Sequence, residues 1–171
     1  MPTGRDYYQP ALPTLLFSTH PQPAAAMVAG TKRLEYRRRF YQGAFQAFVY
    51  VTGRAGGVGL YVQCAPAVVA SPIVLGQLGA VLQNDDPQAV RAYLGTHAKG
   101  LGIPITGVAV LTPISLVQLR VAFNNFVAPR SYVFLDRPAR QAQREFFLDQ
   151  PCQPLRRDEQ LLAQIQTQLK K

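Results

Sequence analysis

Short apolar runs separated by turn-forming residues recur along the chain, and long amphipathic helical stripes are absent. Runs of this kind predict strands that are buried in a protein core. The predicted strands are residues 15–18, 45–51, 58–69, 103–111 and 132–135. Within the third of these, Pro66 predicts a bulge or a sheet edge, because proline cannot donate a hydrogen bond to a neighbouring strand.

Residues 33–40 alternate between a wholly charged set of side chains and a mostly apolar one. Successive side chains of a strand point to opposite faces, so the pattern predicts a half-buried strand with a charged, solvent-facing side. The predicted charged face holds Arg33, Glu35, Arg37 and Arg39, and the other face holds Leu34, Tyr36, Arg38 and Phe40. A helix would spread the same bases around its circumference and leave no clean apolar stripe.

Proline and glycine signals mark the predicted helices. His20-Pro21 opens a short alanine-rich helix that Gly30 closes, as expected for proline near a helix start and glycine after its end. Ser71-Pro72 and Asp86-Pro87 each pair an N-cap residue with proline at the first helical position. The predicted helices are residues 21–29, 71–82, 88–97, 138–147 and 158–169, with a short helix or turn at 114–123, and residues 1–11 are predicted to form a loose arm.

These elements predict an α+β fold, and specifically a mixed β-barrel with short flanking helices. A barrel is favoured because no long amphipathic helix is available to cover an open sheet. In the last predicted helix, an apolar stripe is expected to dock on the barrel, and a binding surface for a protein partner is the alternative. The stripe consists of Leu161, Leu162, Ile165 and Leu169.

The chain carries 18 Lys and Arg residues against 9 Asp and Glu, a formal net charge of +9. This excess favours a polyanionic partner such as nucleic acid, with simple solubility as the alternative. The densest basic cluster comprises Lys32, Arg33, Arg37, Arg38 and Arg39, with Glu35 as the one acid among them.

Other classes of function find little support in the sequence. Cys64 and Cys152 have no metal-ligand spacing and no disulfide framework, which favours a reducing, cytoplasmic compartment. His20 and His97 are not spaced as metal ligands, and no cofactor motif is evident. The uncharged stretches 55–84 and 100–119 are interrupted by prolines, so strands and helices are expected there rather than a membrane span. The N-terminal residues contain no apolar stretch that would predict a signal peptide.

The segment Leu16-Phe17-Ser18-Thr19-His20-Pro21 leads into Gly30-Thr31-Lys32-Arg33-Leu34-Glu35-Tyr36-Arg37-Arg38. The second part resembles the G-x-K-x-x-E-x-R signature of the ASCH family. Later segments resemble the family in order along the chain: residues 49–52, Gly59, Ser71-Pro72, 93–94, 102–103, 113–116 and 128–132. The resemblance spans about residues 12–135 and is closest to a bacterial group of PUA-like regulators. The predicted organisation is an N-terminal arm at 1–11, the resembling barrel domain at 12–135 and a helical extension at 136–171.

The resemblance also implies a PUA-like barrel with a cleft near the motif and a role in recognising RNA or nucleotides. The residues themselves fit such a site, because glycine lets the backbone turn tightly, Lys32 offers a point charge to phosphate and Arg37 offers two parallel donors. Glu35 is expected to orient Lys32 and Arg37 or to accept a hydrogen bond from the amino group of a nucleobase. Candidate stacking surfaces are Tyr36, Tyr41, Phe45 and Tyr132. The predicted binding residues are Gly30, Lys32, Arg33, Glu35, Arg37, Arg39, Ser131 and Tyr132.

Each of these assignments has a structural alternative. The charged side chains of residues 33–37 form a solvated charge ladder in that reading, Tyr36 belongs to the core, and Ser131 is a turn hydroxyl. The leading hypothesis is a non-catalytic binding module for RNA or nucleotides. A protein-interaction role of the C-terminal helices is a further alternative.

An enzyme is the second hypothesis, with Lys32 and Glu35 as candidate catalytic residues. Some ASCH relatives are amidohydrolases acting on acetylated cytidine, and they resemble this chain at Lys32. Where they use a hydroxyl three residues later, this chain has Glu35, and its residues 55–84 contain no acid to supply their strand carboxylate. Other relatives cut RNA, for which Lys32 with Tyr36 or Ser131 is the candidate set.

Overall fold

A curled, mixed sheet of eight strands lies at the centre of the computed structural model, which describes residues 1–171. The strands are β1 Thr14–Thr19, β2 Leu34–Arg37, β3 Phe45–Val51, β4 Gly57–Cys64, β5 Val68–Ala70, β6 Gly100–Ser115, β7 Tyr132–Phe134 and β8 Arg156–Arg157. Their order is β2-β6-β4-β3-β1-β7, and β5 and β8 also pair with β6. The β1–β3 pair is parallel and every other pair is antiparallel.

Six α-helices flank this half-barrel, so the predicted α+β class is confirmed. They are α1 Pro21–Ala29, α2 Pro72–Gln83, α3 Pro87–Leu94, α4 Leu116–Ala122, α5 Gln141–Leu148 and α6 Leu161–Leu169, with 3-10 helices at Gly4–Tyr7 and Pro138–Arg140. The predicted N-caps are confirmed, because Ser71 accepts from the Val74 N–H and Asp86 from the Gln88 N–H. All six helices fall short of the length and apolar character that a membrane crossing requires.

The apolar side chains form three separate clusters, and β2 lies between two of them. The first fills the half-barrel beneath α1 and includes Phe17 and Phe40. The second lies on the other side of the sheet, against α4 and α5. The third joins Leu34 and Tyr36 of β2 to α2, α3 and α6. One face of β2 is therefore sealed by helices, and its other face is turned toward the half-barrel.

The strands that surround this position differ in extent from the prediction. The charged strand ends at Arg37 rather than at Phe40, because the chain then bends and Phe40 packs into the half-barrel beside Phe17, 5.8 Å between ring centroids. The predicted strand 58–69 is two strands, β4 and β5, separated at Pro66, and β6 is longer than predicted. The sixteen-residue β6 can be that long because it pairs with four other strands along its length.

The prediction of a loose N-terminal arm is wrong. Gly4 is buried, and its N–H donates to the Gln150 carbonyl at 3.4 Å. Arg5 forms ion pairs with Glu145 at 2.6 Å and Asp149 at 2.8 Å. These partners lie more than a hundred residues further along the chain, so no local pattern in residues 1–11 predicts the contacts.

The C-terminal residues 136–171 pack tightly on the half-barrel. Strand β8 pairs with β6, and Phe147 and Leu148 enter the second cluster. Of the predicted apolar stripe, Leu161 and Ile165 are buried in the third cluster, which confirms docking for these two positions. Leu162 and Leu169 are each 46% exposed and lie on the outer side of α6.

Candidate functional site

An open cavity of about 600 Å³ lies between β2, the start of α1 and the loop that precedes β7. Lys32, Glu35 and Arg37 form one wall, and residues 18–20 form another. Arg130 and Tyr93 complete the lining from distant parts of the chain. Three cationic side chains and one carboxylate therefore face a single hollow.

The alternation of β2 explains which side chains reach the cavity. Leu34 and Tyr36 are 0% and 8% exposed because they pack against the helices of the third cluster. Glu35 and Arg37 must then point the other way, toward the half-barrel. Of the predicted charged face, Glu35 and Arg37 therefore border a hollow instead of open solvent.

Glu35 lies between the two bases. Its Oε1 is 3.6 Å from Lys32 Nζ, and its Oε2 is 3.6 Å from Arg37 Nη2. The side chains of Lys32, Glu35 and Arg37 are 15%, 13% and 15% exposed, so water screens these charges only in part. Both separations are longer than a strong charge-assisted hydrogen bond, which leaves donors on both cations free for an anion.

Arg37 is fixed by contacts on three sides. Its Nη2 donates to the Ser18 carbonyl at 2.9 Å. The guanidinium carbon lies 5.6 Å from the Phe17 ring centroid and 5.2 Å from that of Phe40, within the range of cation–π attraction. The guanidinium is thus held in place while part of its edge faces the cavity.

Lys32 is placed by the tight turn that ends α1. Gly30 has a φ of 80°, a left-handed conformation that glycine adopts without strain. The Lys32 N–H donates to the Ala26 carbonyl at 3.1 Å, which fixes the backbone of the turn. Lys32 Nζ lies 5.4 Å from the Tyr36 ring centroid and makes no hydrogen bond within the protein.

Tyr36 is tied into the protein by its hydroxyl group. The hydroxyl donates to Asp85 Oδ2 at 2.6 Å, and Gln83 Nε2 donates to the same oxygen. Burial and the carboxylate of Asp85 raise the pKa of Tyr36 well above its ordinary value. The side chain contributes part of its ring to the cavity wall, and its hydroxyl is committed to Asp85.

The structure does not bring all predicted site residues to the cavity. Arg33 turns to the C-terminal segment, where Nε donates to Asp158 at 2.7 Å and Nη2 donates to Gln164. Arg39 is exposed and does not line the cavity. Gly30 does not line the cavity, and its Cα lies next to the Arg156 guanidinium.

Ser131 and three of the predicted stacking side chains also lie outside the cavity lining. The Ser131 carbonyl accepts from the Ser18 N–H at 3.3 Å. The Tyr132 ring packs on Phe40, 4.4 Å between centroids, and Tyr41 packs on Phe45. These aromatic rings belong to the core beneath the site.

Tyr93 and Arg130 are among the lining residues that the sequence-based prediction missed. Tyr93 is 50% exposed at the end of α3, and the Arg38 guanidinium donates to its carbonyl and lies 5.6 Å from its ring centroid. Arg130 is exposed in the loop before β7. An aromatic residue on the polar face of a short helix is a signal for Tyr93. Arg130 carries no comparable signal, because only the folded loop places it here.

Searches with protein-family models and among curated proteins find no match for this sequence. Solved structures do match: the crystal structure of an ASCH protein from Zymomonas mobilis superposes with a TM-score of 0.69 at 22% identity. The alignment covers 81% of this chain and 96% of that chain.

Two variants of the Zymomonas mobilis protein, one with a tyrosine changed to phenylalanine and one with a serine changed to alanine, match in the same way. Their TM-scores are 0.66 and 0.67, their identities are 21% and 22%, and they are covered over 99% and 100% of their length, against 81% and 84% of this chain. The protein therefore shares the fold of these ASCH structures. This agrees with the resemblance seen in residues 12–135.

Proposed function

We propose that the protein is a binding module for RNA or nucleotides that acts through the cavity beside β2. The observation that carries the proposal is the convergence of Lys32, Arg37 and Arg130 on one open hollow with a single carboxylate. The cavity volume lies in the range that small-molecule ligands occupy in proteins. A regulatory role, as in the bacterial group that the chain resembles, would rest on this binding.

Phosphate is the ligand group that this wall matches best. The ammonium of Lys32 offers three donors that no protein group uses, and the guanidinium of Arg37 is already oriented by Ser18. Because these charges are partly shielded from water, their attraction for an anion exceeds that of fully exposed surface charges. The formal net charge of +9 adds a long-range attraction that is sensitive to salt.

The test is the binding of a short fluorescent single-stranded RNA, measured by anisotropy over a series of salt concentrations. Changing Lys32→Ala together with Arg37→Ala removes two phosphate contacts. The slope of log K against log salt is negative, and it should become shallower by about 1.4, because each phosphate contact with a single strand contributes roughly 0.7. Affinity should fall at least about tenfold, since charged hydrogen bonds contribute about 1.5–3 kcal/mol each.

A matched control changes Lys170→Ala and Lys171→Ala, which removes the same charge from the exposed C-terminus. That variant should keep most of the affinity and the slope. Equal losses in both variants would show that net charge, and not the cavity, carries the binding. Thermal unfolding of each variant checks that the fold persists, and Lys32→Ala alone provides a variant that breaks no hydrogen bond of its side chain.

A second proposal is hydrolysis of RNA or of a modified nucleoside in the same cavity. It is favoured by the 3.6 Å approach of Lys32 to Glu35, which puts an acid and a base side by side in a partly buried site. The same lining holds the hydroxyl groups of Ser18, Thr19 and Thr52, of which that of Ser18 donates to the Pro129 carbonyl at 2.6 Å and that of Thr52 lies 3.1 Å from His20 Nδ1. Incubation with RNA and with acetylated cytidine should give a product that Glu35→Gln abolishes while RNA binding persists. Failure to form product over hours at high protein concentration would eliminate hydrolysis of these substrates and leave the binding proposal intact.

A further inference from the structure

A second hollow, of about 260 Å³, adjoins the cavity and carries the opposite charge. The two share Lys32, Tyr36 and Tyr93 in their linings, so they lie side by side along the β2–α3 side of the molecule, and together they are called the groove. The second hollow adds Asp85 and Asp86. The groove therefore runs from a cationic end to an acidic end.

Asp85 lines this groove and has one oriented carboxylate oxygen without a protein partner. Its Oδ2 accepts from the Tyr36 hydroxyl and from Gln83 Nε2, both at 2.6 Å. Its Oδ1 accepts no hydrogen bond from the protein, and the side chain is half-buried. Two donors on one oxygen hold the carboxylate in a single orientation, so the position of the free oxygen is set before any ligand arrives.

Asp86 has a different role. Its Oδ1 accepts from the Gln88 N–H at 3.0 Å and caps α3, and the residue is exposed. Its other oxygen accepts no hydrogen bond from the protein, but one backbone donor on an exposed side chain does not fix the carboxylate as the two donors fix that of Asp85, and solvent screens its charge. Asp85 is therefore the acidic residue in the groove with both a defined orientation and a vacant oxygen.

Tyr93 lies where the two hollows meet and offers an aromatic surface there. It lines both hollows and is 50% exposed. Arg38 holds it from behind, with Nε donating to the Tyr93 carbonyl at 2.9 Å and the guanidinium near the ring. Exposed tyrosine rings stack on unpaired bases without regard to base identity. The groove thus has, in order, a phosphate-binding wall, a stacking surface and a hydrogen-bond acceptor.

We propose that Asp85 selects the base of the bound nucleotide and favours cytosine and adenine over uracil. This inference rests on the proposed function, with phosphate at Lys32 and Arg37 and the base against Tyr93. The exocyclic amino group of cytosine or adenine then donates to Asp85 Oδ1, a pairing that carboxylates make with cytosine. Uracil has a carbonyl oxygen at the same place. This oxygen cannot donate to Asp85 Oδ1, and its partial negative charge is repelled by the carboxylate.

The test compares labelled octacytidylate and octauridylate RNA, matched in length and charge, at one salt concentration and near neutral pH. Wild-type protein should bind octacytidylate at least about fivefold more tightly, because one good base contact discriminates by about 1–3 kcal/mol. In Asp85→Asn, the amide oxygen keeps the two donors from Tyr36 and Gln83, and an NH₂ group replaces the free oxygen. The preference should disappear or reverse toward octauridylate.

Asp86→Asn is the matched control, since asparagine also caps helices well, and its preference should equal that of the wild type. A wild-type protein that binds both RNAs equally, or uracil better, overturns the inference while the proposed function stands. If the protein binds neither RNA, both the inference and the proposed function are contradicted. Should Asp85→Asn fail to fold, the wild-type protein can instead be tested with octameric N4,N4-dimethylcytidylate. This RNA has no amino donor on its bases, so it should bind as weakly as octauridylate. Binding as tight as that of octacytidylate would contradict the inference.

Discussion

Gly30 sets the position of Lys32 through backbone geometry. Its φ of 80° lies in the left-handed region, and a Cβ added there would meet Arg156 Nη1 at 3.2 Å. Arg156 in turn donates to the Met27 carbonyl at 2.8 Å, so it joins the end of α1 to β8. The position of Lys32 in the cavity wall therefore depends on Gly30, which lies against the Arg156 guanidinium and has no side chain.

At this position, Gly30→Ala should lower the free energy of unfolding by about 1–2 kcal/mol, the cost of a left-handed backbone for an ordinary residue. RNA affinity should also fall, because the turn that carries Lys32 must shift. Urea denaturation and anisotropy measure the two effects. Gly59→Ala is the control: the nearest atom to its added Cβ is 4.0 Å away, and stability should change by less than about 0.5 kcal/mol. An equal loss in both variants would contradict the role given to the turn.

At the scale of elements, the ion pair of Arg33 with Asp158 joins the start of β2 to the segment before α6. The hydrogen bond from Arg33 lowers the pKa of the Asp158 carboxyl below its ordinary value of 3.8. A carboxyl whose pKa is lowered by folding stabilises the folded state above its unfolded pKa. That contribution is lost as the pH falls through the folded-state pKa.

Asp158→Asn should therefore lower the free energy of unfolding by about 1–2 kcal/mol at neutral pH. The difference from the wild type should shrink as the pH falls below the ordinary aspartate pKa of 3.8 and be lost once the carboxyl of the folded protein is protonated. Denaturation curves collected between neutral and strongly acidic pH measure this. The control Asp149→Asn removes an exposed ion pair with Arg5 and should change stability by less than about 1 kcal/mol. A constant difference across the whole pH range would show that the effect of Asp158 is not its charge.

The elements also show how far the sequence predicts this structure. Strand 45–51 and helix 21–29 match their predictions, because apolar runs and proline–glycine punctuation are local signals. The common orientation of Glu35 and Arg37 follows from alternation alone. The partner of Arg33 lies 125 residues away, and Phe40 turns inward only because the sheet curls over it. Such contacts depend on closure of the half-barrel and leave no periodic trace in the sequence.

At the scale of the whole molecule, the C-terminal residues are part of the fold. Phe147, Leu148, Cys152 and Leu161 are all 0% exposed, and they complete two of the three apolar clusters. Their removal would expose the outer face of the central sheet and the inner face of α2. Burial of each such side chain contributes about 1.5–3 kcal/mol, and the sum rivals the whole stability of an ordinary domain.

Deletion of residues 137–171 should therefore abolish cooperative unfolding, as followed by circular dichroism during heating. A conservative comparison deletes only Lys170 and Lys171, which are exposed and should be dispensable. If the long deletion remains folded and binds RNA, the extension is independent of the half-barrel. The alternative of a protein-interaction role for these helices then gains support.

Arg37 is restrained by the Ser18 carbonyl and two aromatic rings before any ligand is present. Much of the rotational freedom that a flexible arginine surrenders upon complex formation has thus already been lost during folding. Ligands of equal charge should consequently arrive at similar rates, steered by the positive field of the protein. Differences among them should lie in how long each complex lives before it dissociates.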